Sequence, residues 1–83
     1  MDRDDHQLTG EEVLKAFGRA VVVRRRELGI SQERLAQIAG LNRGYMGDVE
    51  RGARNVGLVN VAKIAHALGC TIGELFTRYY REG

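Results

Sequence analysis

The chain has no proline, one cysteine (Cys70), two widely separated histidines, and no apolar run longer than Ala20-Val21-Val22-Val23. Each shortage removes a class of protein. A lone cysteine cannot form a disulfide within the chain, so a reducing, cytoplasmic setting is expected. One cysteine and two distant histidines make no ligand cluster, and no metal is expected. Four consecutive apolar residues cannot cross a bilayer, which takes about 20. The opening MDRDDHQ is acidic and polar and fits neither a signal nor a transit peptide. The lack of proline, with 43% hydrophobic and 29% charged residues, suits a compact helical protein. At 83 residues it is one domain, near the lower limit for an independent core. No nucleophile–base pair, paired carboxylates or phosphate-cradling loop is legible, so neither an enzyme nor a bound cofactor is expected.

What is present is an uneven distribution of charge. Residues 1–16 carry two bases against five acids, or −3, whereas residues 17–54 carry eight arginines against four acids, or +4. Positive charge therefore gathers in the middle of the chain, as a footprint for phosphates requires. Taken alone, the charge points more to solubility than to nucleic acid, since arginine is common on surfaces.

Residues 1–7 read as a disordered acidic tail, and residues 8–83 as a single domain. Thr9 and Glu12 form a capping box, with Leu8 and Val13 placed to staple it. The first helix should run to about Leu28 with Val13, Leu14, Phe17, Val21 and Leu28 inward. The three valines at 21–23 favour strand locally, but capping and periodicity on both sides favour helix. Ser31 caps a second helix whose apolar face is Leu35, Ala36, Ile38 and Ala39. Gly40 ends it, Leu41 fills the corner and Asn42 caps a third helix, with Met46 and Val49 inward. The third helix's other side carries Arg43, Gly44, Gly47, Asp48 and Arg51 as one polar stripe. A helix held by its neighbour and presenting such a stripe is what a helix-turn-helix offers to the major groove. After a glycine-rich loop, a fourth helix spans about Leu58 to Leu68, and Thr71-Glu74 is a second capping box opening a fifth. The fold class is all-α, with five short helices.

The ordered set Ser31-Gln32-Glu33, Leu35-Ala36, Gly40-Leu41-Asn42, Val49-Glu50-Arg51-Gly52, Lys63 to Gly69 and Glu74-Leu75-Phe76 resembles the lambda-repressor-like (XRE-type) helix-turn-helix family over residues 17–76. Asn42-Arg43-Gly44-Tyr45 and Glu50-Arg51-Gly52-Ala53-Arg54-Asn55 are similar, more narrowly, to controller proteins of restriction–modification systems. The chain departs from the family by placing Val56 and Gly57 where Pro and Ser usually open the fourth helix. Gly44 and Gly47 also stand where most members carry side chains.

The candidate interface residues follow. Arg43, at the start of the recognition helix, can fork onto guanine O6 and N7 or bind a phosphate. Asp48 can accept from a cytosine amino group or pair with Arg51 three residues on. Gly44 and Gly47 each weaken a helix by about 1 kcal/mol relative to Ala, which close approach to DNA would explain. Tyr45 is compatible with a phosphate contact and with partial core packing. The resemblance implies that Gln32 bonds a phosphate, helped by the free N–H groups of its helix start. It also implies that Arg54 and Asn55 point toward the DNA backbone or minor groove, and that Arg25 braces Glu50. Cys70 is expected in the core, and His66 exposed. Phe76 and Tyr80, left over once Ile72, Leu75 and Tyr79 cover the core, are expected at a two-fold dimer interface.

These features together predict a homodimeric regulator that binds double-stranded DNA at a (pseudo)palindromic operator, with autoregulation of a restriction–modification operon as the favoured form. An antitoxin-type repressor is one alternative, and a flanking toxin or methyltransferase gene separates the two. A protein–protein adaptor on the same scaffold is another, and it predicts no salt-dependent DNA affinity. Glu33, near the DNA edge, is a candidate contact for RNA polymerase in an activator.

Overall fold

Gly18 marks a tight crossing between the first and third of the α-helices. The computed structural model describes residues 7–82, in which the helices are α1 (Gly10–Glu27), α2 (Gln32–Ala39), α3 (Arg43–Arg51), α4 (Leu58–Ala67) and α5 (Ile72–Tyr79), with no strand among them. A Cβ built on Gly18 would lie 2.6 Å from the carbonyl oxygens of both Val49 and Glu50. Only a residue without a side chain lets α1 and the end of α3 approach so closely. The expected acidic tail lies outside the described residues apart from Gln7, which has no regular structure.

α1 begins with its capping box. The Thr9 side chain accepts from the Glu12 N–H at 3.1 Å, and the Glu12 carboxylate accepts from the Thr9 N–H at 3.1 Å. The valine run stays helical because Val21 is fully buried, and burial of one such side chain outweighs the few tenths of a kcal/mol that each β-branched residue loses in a helix. Leu28 does not join the buried face as expected. The helix ends at Glu27, so Leu28 is its C-cap and is 41% exposed.

The core is built from Phe17 and Val21 of α1, Leu35, Ala36 and Ala39 of α2, Met46 and Val49 of α3, Ile64 and Ala65 of α4 with Leu68 just beyond it, and Leu75 of α5. α1 packs on α3 and α5, α2 on α3 and α4, and α4 on α5. Ile38 was expected inward but is 46% exposed. An eight-residue helix buries one narrow arc, and Leu35, Ala36 and Ala39 already fill it. Cys70 is half-buried against the core, with Sγ 3.7 Å from the Leu68 carbonyl.

α4 starts at Gly57 with no side-chain cap, whereas α5 has a full capping box between Thr71 and Glu74. Long-range polar contacts tie α1 to α4 and α5. Arg24 Nε donates to the Leu68 carbonyl at 2.9 Å, tying α1 to the end of α4. The Tyr79 hydroxyl donates to Glu27 at 2.5 Å, tying α5 to the end of α1. Phe76 is half-buried rather than left over, because its ring stacks on Phe17 at 5.7 Å. Tyr80 is half-buried beside it at 4.9 Å, with its hydroxyl donating to Glu82.

Candidate nucleic-acid interface

The α2–turn–α3 unit is fixed by local chemistry before any long-range packing is considered. The Ser31 side chain accepts from the Arg34 N–H at the start of α2. Gly40, at φ 72°, ends that helix in the left-handed region where a Cβ would be strained. Leu41 tucks against the core, and Asn42 Oδ1 accepts from the Tyr45 N–H at 2.7 Å to start α3. With Met46 and Val49 buried, α3 must turn its opposite side outward.

The rotation of α3 about its axis is set at its far end by Glu50. Arg25 Nε donates to Glu50 Oε2 at 2.6 Å and Arg25 Nη2 to Oε1 at 3.1 Å, a two-pronged contact between α1 and α3. Arg25 Nη1 also donates to the Ile30 carbonyl at 3.0 Å, and Gln32 Nε2 donates to Glu50 Oε1 at 3.0 Å. The two charged side chains are only 14% and 7% exposed. The Glu50 carboxylate pushes the Arg25 guanidinium above its already high ordinary pKa through that bond.

On the outward side, Arg43 and Gly44 are fully at the surface, and an added Cβ at Gly44 would meet only the Asn42 side chain, at 3.5 Å. Gly47 is different from what its place in the stripe suggests. It is buried, because the side chains of Arg51 and Gln32 lie over it at 3.3 and 3.4 Å from the position of its absent Cβ. Its lack of a side chain therefore makes room for these two side chains over the helix. Gln32, expected to face a phosphate, has its amide N–H on Glu50.

Asp48 holds two arginines at once. Arg51 Nη2 donates to its Oδ1 and Arg54 Nη2 to its Oδ2, the latter at 2.9 Å. The Arg54 guanidinium also lies 5.0 Å above the Tyr45 ring. Tyr45 is half-buried against the core, and its hydroxyl accepts from Asn60 Nδ2 at 3.0 Å. Asn55 is exposed in the loop after α3. The structure thus brings together Gln32, Gly47 and Arg51, and separately Tyr45, Asp48, Arg51 and Arg54, on one side of the domain. Sequence reasoning missed Asn60, since an asparagine inside a helix carries no signal that it will meet a tyrosine fifteen residues away. Among the described residues, no three His, Cys, Asp or Glu side chains converge as metal ligands.

Two consecutive capped helices, the second pinned by the first and by α1 with a polar, arginine-bearing side outward, define a helix-turn-helix domain of the lambda-repressor-like kind. The family model described as a helix-turn-helix (HTH_3) matches residues 23–75, and the chain belongs to that family. It is 42% identical over 60 residues to control protein C.MunI of a Mycoplasma species, spanning 72% of this chain and 81% of that protein. It is 48% identical over 54 residues to control protein C.BamHI of Bacillus amyloliquefaciens, spanning 64% and 67%. Its fold is similar to the crystal structure of the restriction–modification controller protein C.AhdI from Aeromonas hydrophila, with a TM-score of 0.73 and 51% identity over 76% of this chain and 96% of that one.

Proposed function

We propose that this chain is a sequence-specific regulator of transcription that binds double-stranded DNA as a homodimer, and that it controls a restriction–modification operon, its own included. The observation that carries the reading is the pinned recognition helix. Glu50 locks the roll of α3, so Arg43 at its exposed start points away from the core into open space. Helix-turn-helix proteins place the start of this helix against base edges, and a guanidinium there forks onto guanine. The names of its relatives C.MunI, C.BamHI and C.AhdI support the narrower assignment.

In this reading Arg43 reads bases, Gly44 permits close approach, and Arg51, Arg54, Asn55, Tyr45 and the Gln32 end of α2 face phosphates. Arg25 and Glu50 brace the helix without touching DNA. The dimer forms about a two-fold axis that sets two recognition helices roughly one DNA turn apart, about 34 Å. Phe76 and Tyr80 offer their uncovered edges to it. Leu58 and Val59, at 73% and 68% exposure, add an apolar patch with no charge between Asn55 and Ala62. A neutral patch suits a two-fold contact, where like charges would otherwise face each other. Glu33, exposed in the first turn of α2, is the surface for RNA polymerase when the protein activates. Among the described residues no helix is long and apolar enough to cross a membrane, and we place the protein in the cytoplasm, at the nucleoid when bound.

The test is selection of bound sequences from a random duplex pool, with Arg43→Ala in parallel. A two-fold symmetric motif with a guanine preference that relaxes in the variant is the expected result. The absence of any enriched motif at both low and moderate salt would overturn the reading in favour of a protein–protein adaptor.

A further inference from the structure

Two of the arginines on the proposed DNA face are already bound, in the free chain, to the same acid. Asp48 presents one carboxylate oxygen to Arg51 and the other to Arg54. Two guanidiniums on two oxygens of one anion is the arrangement that a backbone phosphate would receive. The Asp48 carbonyl also accepts from the Ala53 N–H at 2.8 Å, so one residue holds two consecutive residues at the start of the loop, Ala53 by its backbone and Arg54 by its side chain. The arginine side chains are 66% and 49% exposed, and the carboxylate 29%. Ion pairs this open to water add little to stability. Their position on the binding face gives them a different role.

We propose that Asp48 is an internal substitute for phosphate that sets the ratio of specific to non-specific binding. The inference rests on the DNA-binding reading above. Non-specific affinity comes almost wholly from cations that displace counterions from the backbone. With Arg51 and Arg54 held on Asp48, a loosely docked duplex meets two fewer free cations and one carboxylate. When α3 seats at a matching site through Arg43, phosphates come within reach of both arginines and replace the carboxylate. The cations then count toward affinity only where base contacts have already fixed the register. A repulsive element aimed at the wrong partner in this way widens discrimination.

The experiment measures affinity against salt for the wild type, Asp48→Asn, Arg54→Gln and the double variant. The probes are a mixed-sequence duplex and the motif recovered from the random pool, and circular dichroism verifies folding. Each phosphate engaged adds about 0.9 to the slope of log affinity against log salt. On mixed-sequence duplex, Asp48→Asn should steepen the slope by about 0.9 to 1.8 and tighten binding on the order of tenfold at low salt. On the recovered motif the change should be smaller, so the specificity ratio falls. Arg54→Gln should leave the mixed-sequence slope of the wild type unchanged but reduce that of Asp48→Asn by about 0.9, because only there is the arginine free. An Asp48→Asn slope equal to the wild type's would overturn this inference alone. So would an Arg54→Gln effect of the same size in both backgrounds, which stays measurable even if Asp48→Asn lowers stability. A wild type with no salt-dependent affinity for any duplex would overturn the DNA-binding reading, and this inference with it.

Discussion

Glu50 accepts three side-chain N–H donors, two from Arg25 and one from Gln32, in a place where its side chain is 7% exposed. Removing one partner of such a pair leaves an uncompensated charge, and Glu50→Ala should lower stability by about 3–5 kcal/mol in thermal or urea melts. Replacing both partners, as in Arg25→Met with Glu50→Leu, should recover most of that loss, since buried pairs rarely outperform apolar packing of similar volume. A wild-type melting point for Glu50→Ala would show that the contact braces nothing. The glycines separate just as sharply. Gly44→Ala adds a methyl in ordinary van der Waals contact with the Asn42 side chain and should leave the melting point unchanged or raise it, while weakening DNA binding if close approach is its purpose. Gly18→Ala drives a methyl into two carbonyls and should destabilise by about 1–3 kcal/mol or prevent folding. At this scale the sequence was legible where a residue acts within its own turn, as with Ser31 and Asn42. It misled at Gly47, because a helical stripe shows which residues point outward but not which neighbours lie over them.

Among elements, one carboxylate joins the ends of α1 and α5 and another caps the start of α5, and the state of both depends on pH. The Tyr79 hydroxyl bond, aided by Arg24, holds the Glu27 carboxyl below its ordinary value of 4.5. The Thr71 N–H does the same for Glu74 within the α5 capping box. A carboxyl whose folded pKa is depressed stabilises the fold above its unfolded pKa and loses that contribution as pH falls through the folded value. The melting temperature should therefore drop as pH falls below about 4.5, and Glu27→Gln and Glu74→Gln should each flatten that acid limb. Equal acid sensitivity in wild type and variants would remove these two groups as its cause. Capping boxes could be read from sequence because they span four residues. The faces of α1, α2 and α5 were harder, since Leu28, Ile38 and Phe76 are placed by where a helix stops and what it meets. Phe76 appears as a leftover aromatic only until Phe17 is known to lie beneath it.

For the whole molecule, Leu58 and Val59 are the most exposed large apolar side chains among the described residues. Replacing both with aspartate should convert a dimer into a monomer by sedimentation or light scattering while leaving the melting curve of the domain nearly intact. Phe76→Ala should lower stability as well, because its ring is shared with Phe17 inside one chain. A dimer that survives both changes would place the two-fold axis elsewhere. The count and order of helices were legible in the sequence, whereas the exposure of Leu58 and Val59 was not, since exposure is a property of the assembled surface. The final consequence comes from the two sides of α3. Met46 and Val49 hold the helix in place, and Arg43, Gly44 and Asp48 do not take part in the hydrophobic core. The second set can therefore drift without undoing the first, with Met46, Val49 and the Gly18 and Glu50 contacts to α1 keeping the helix in place. A descendant of this chain could acquire a new address on the genome by altering its label, with the scaffold that carries it unchanged.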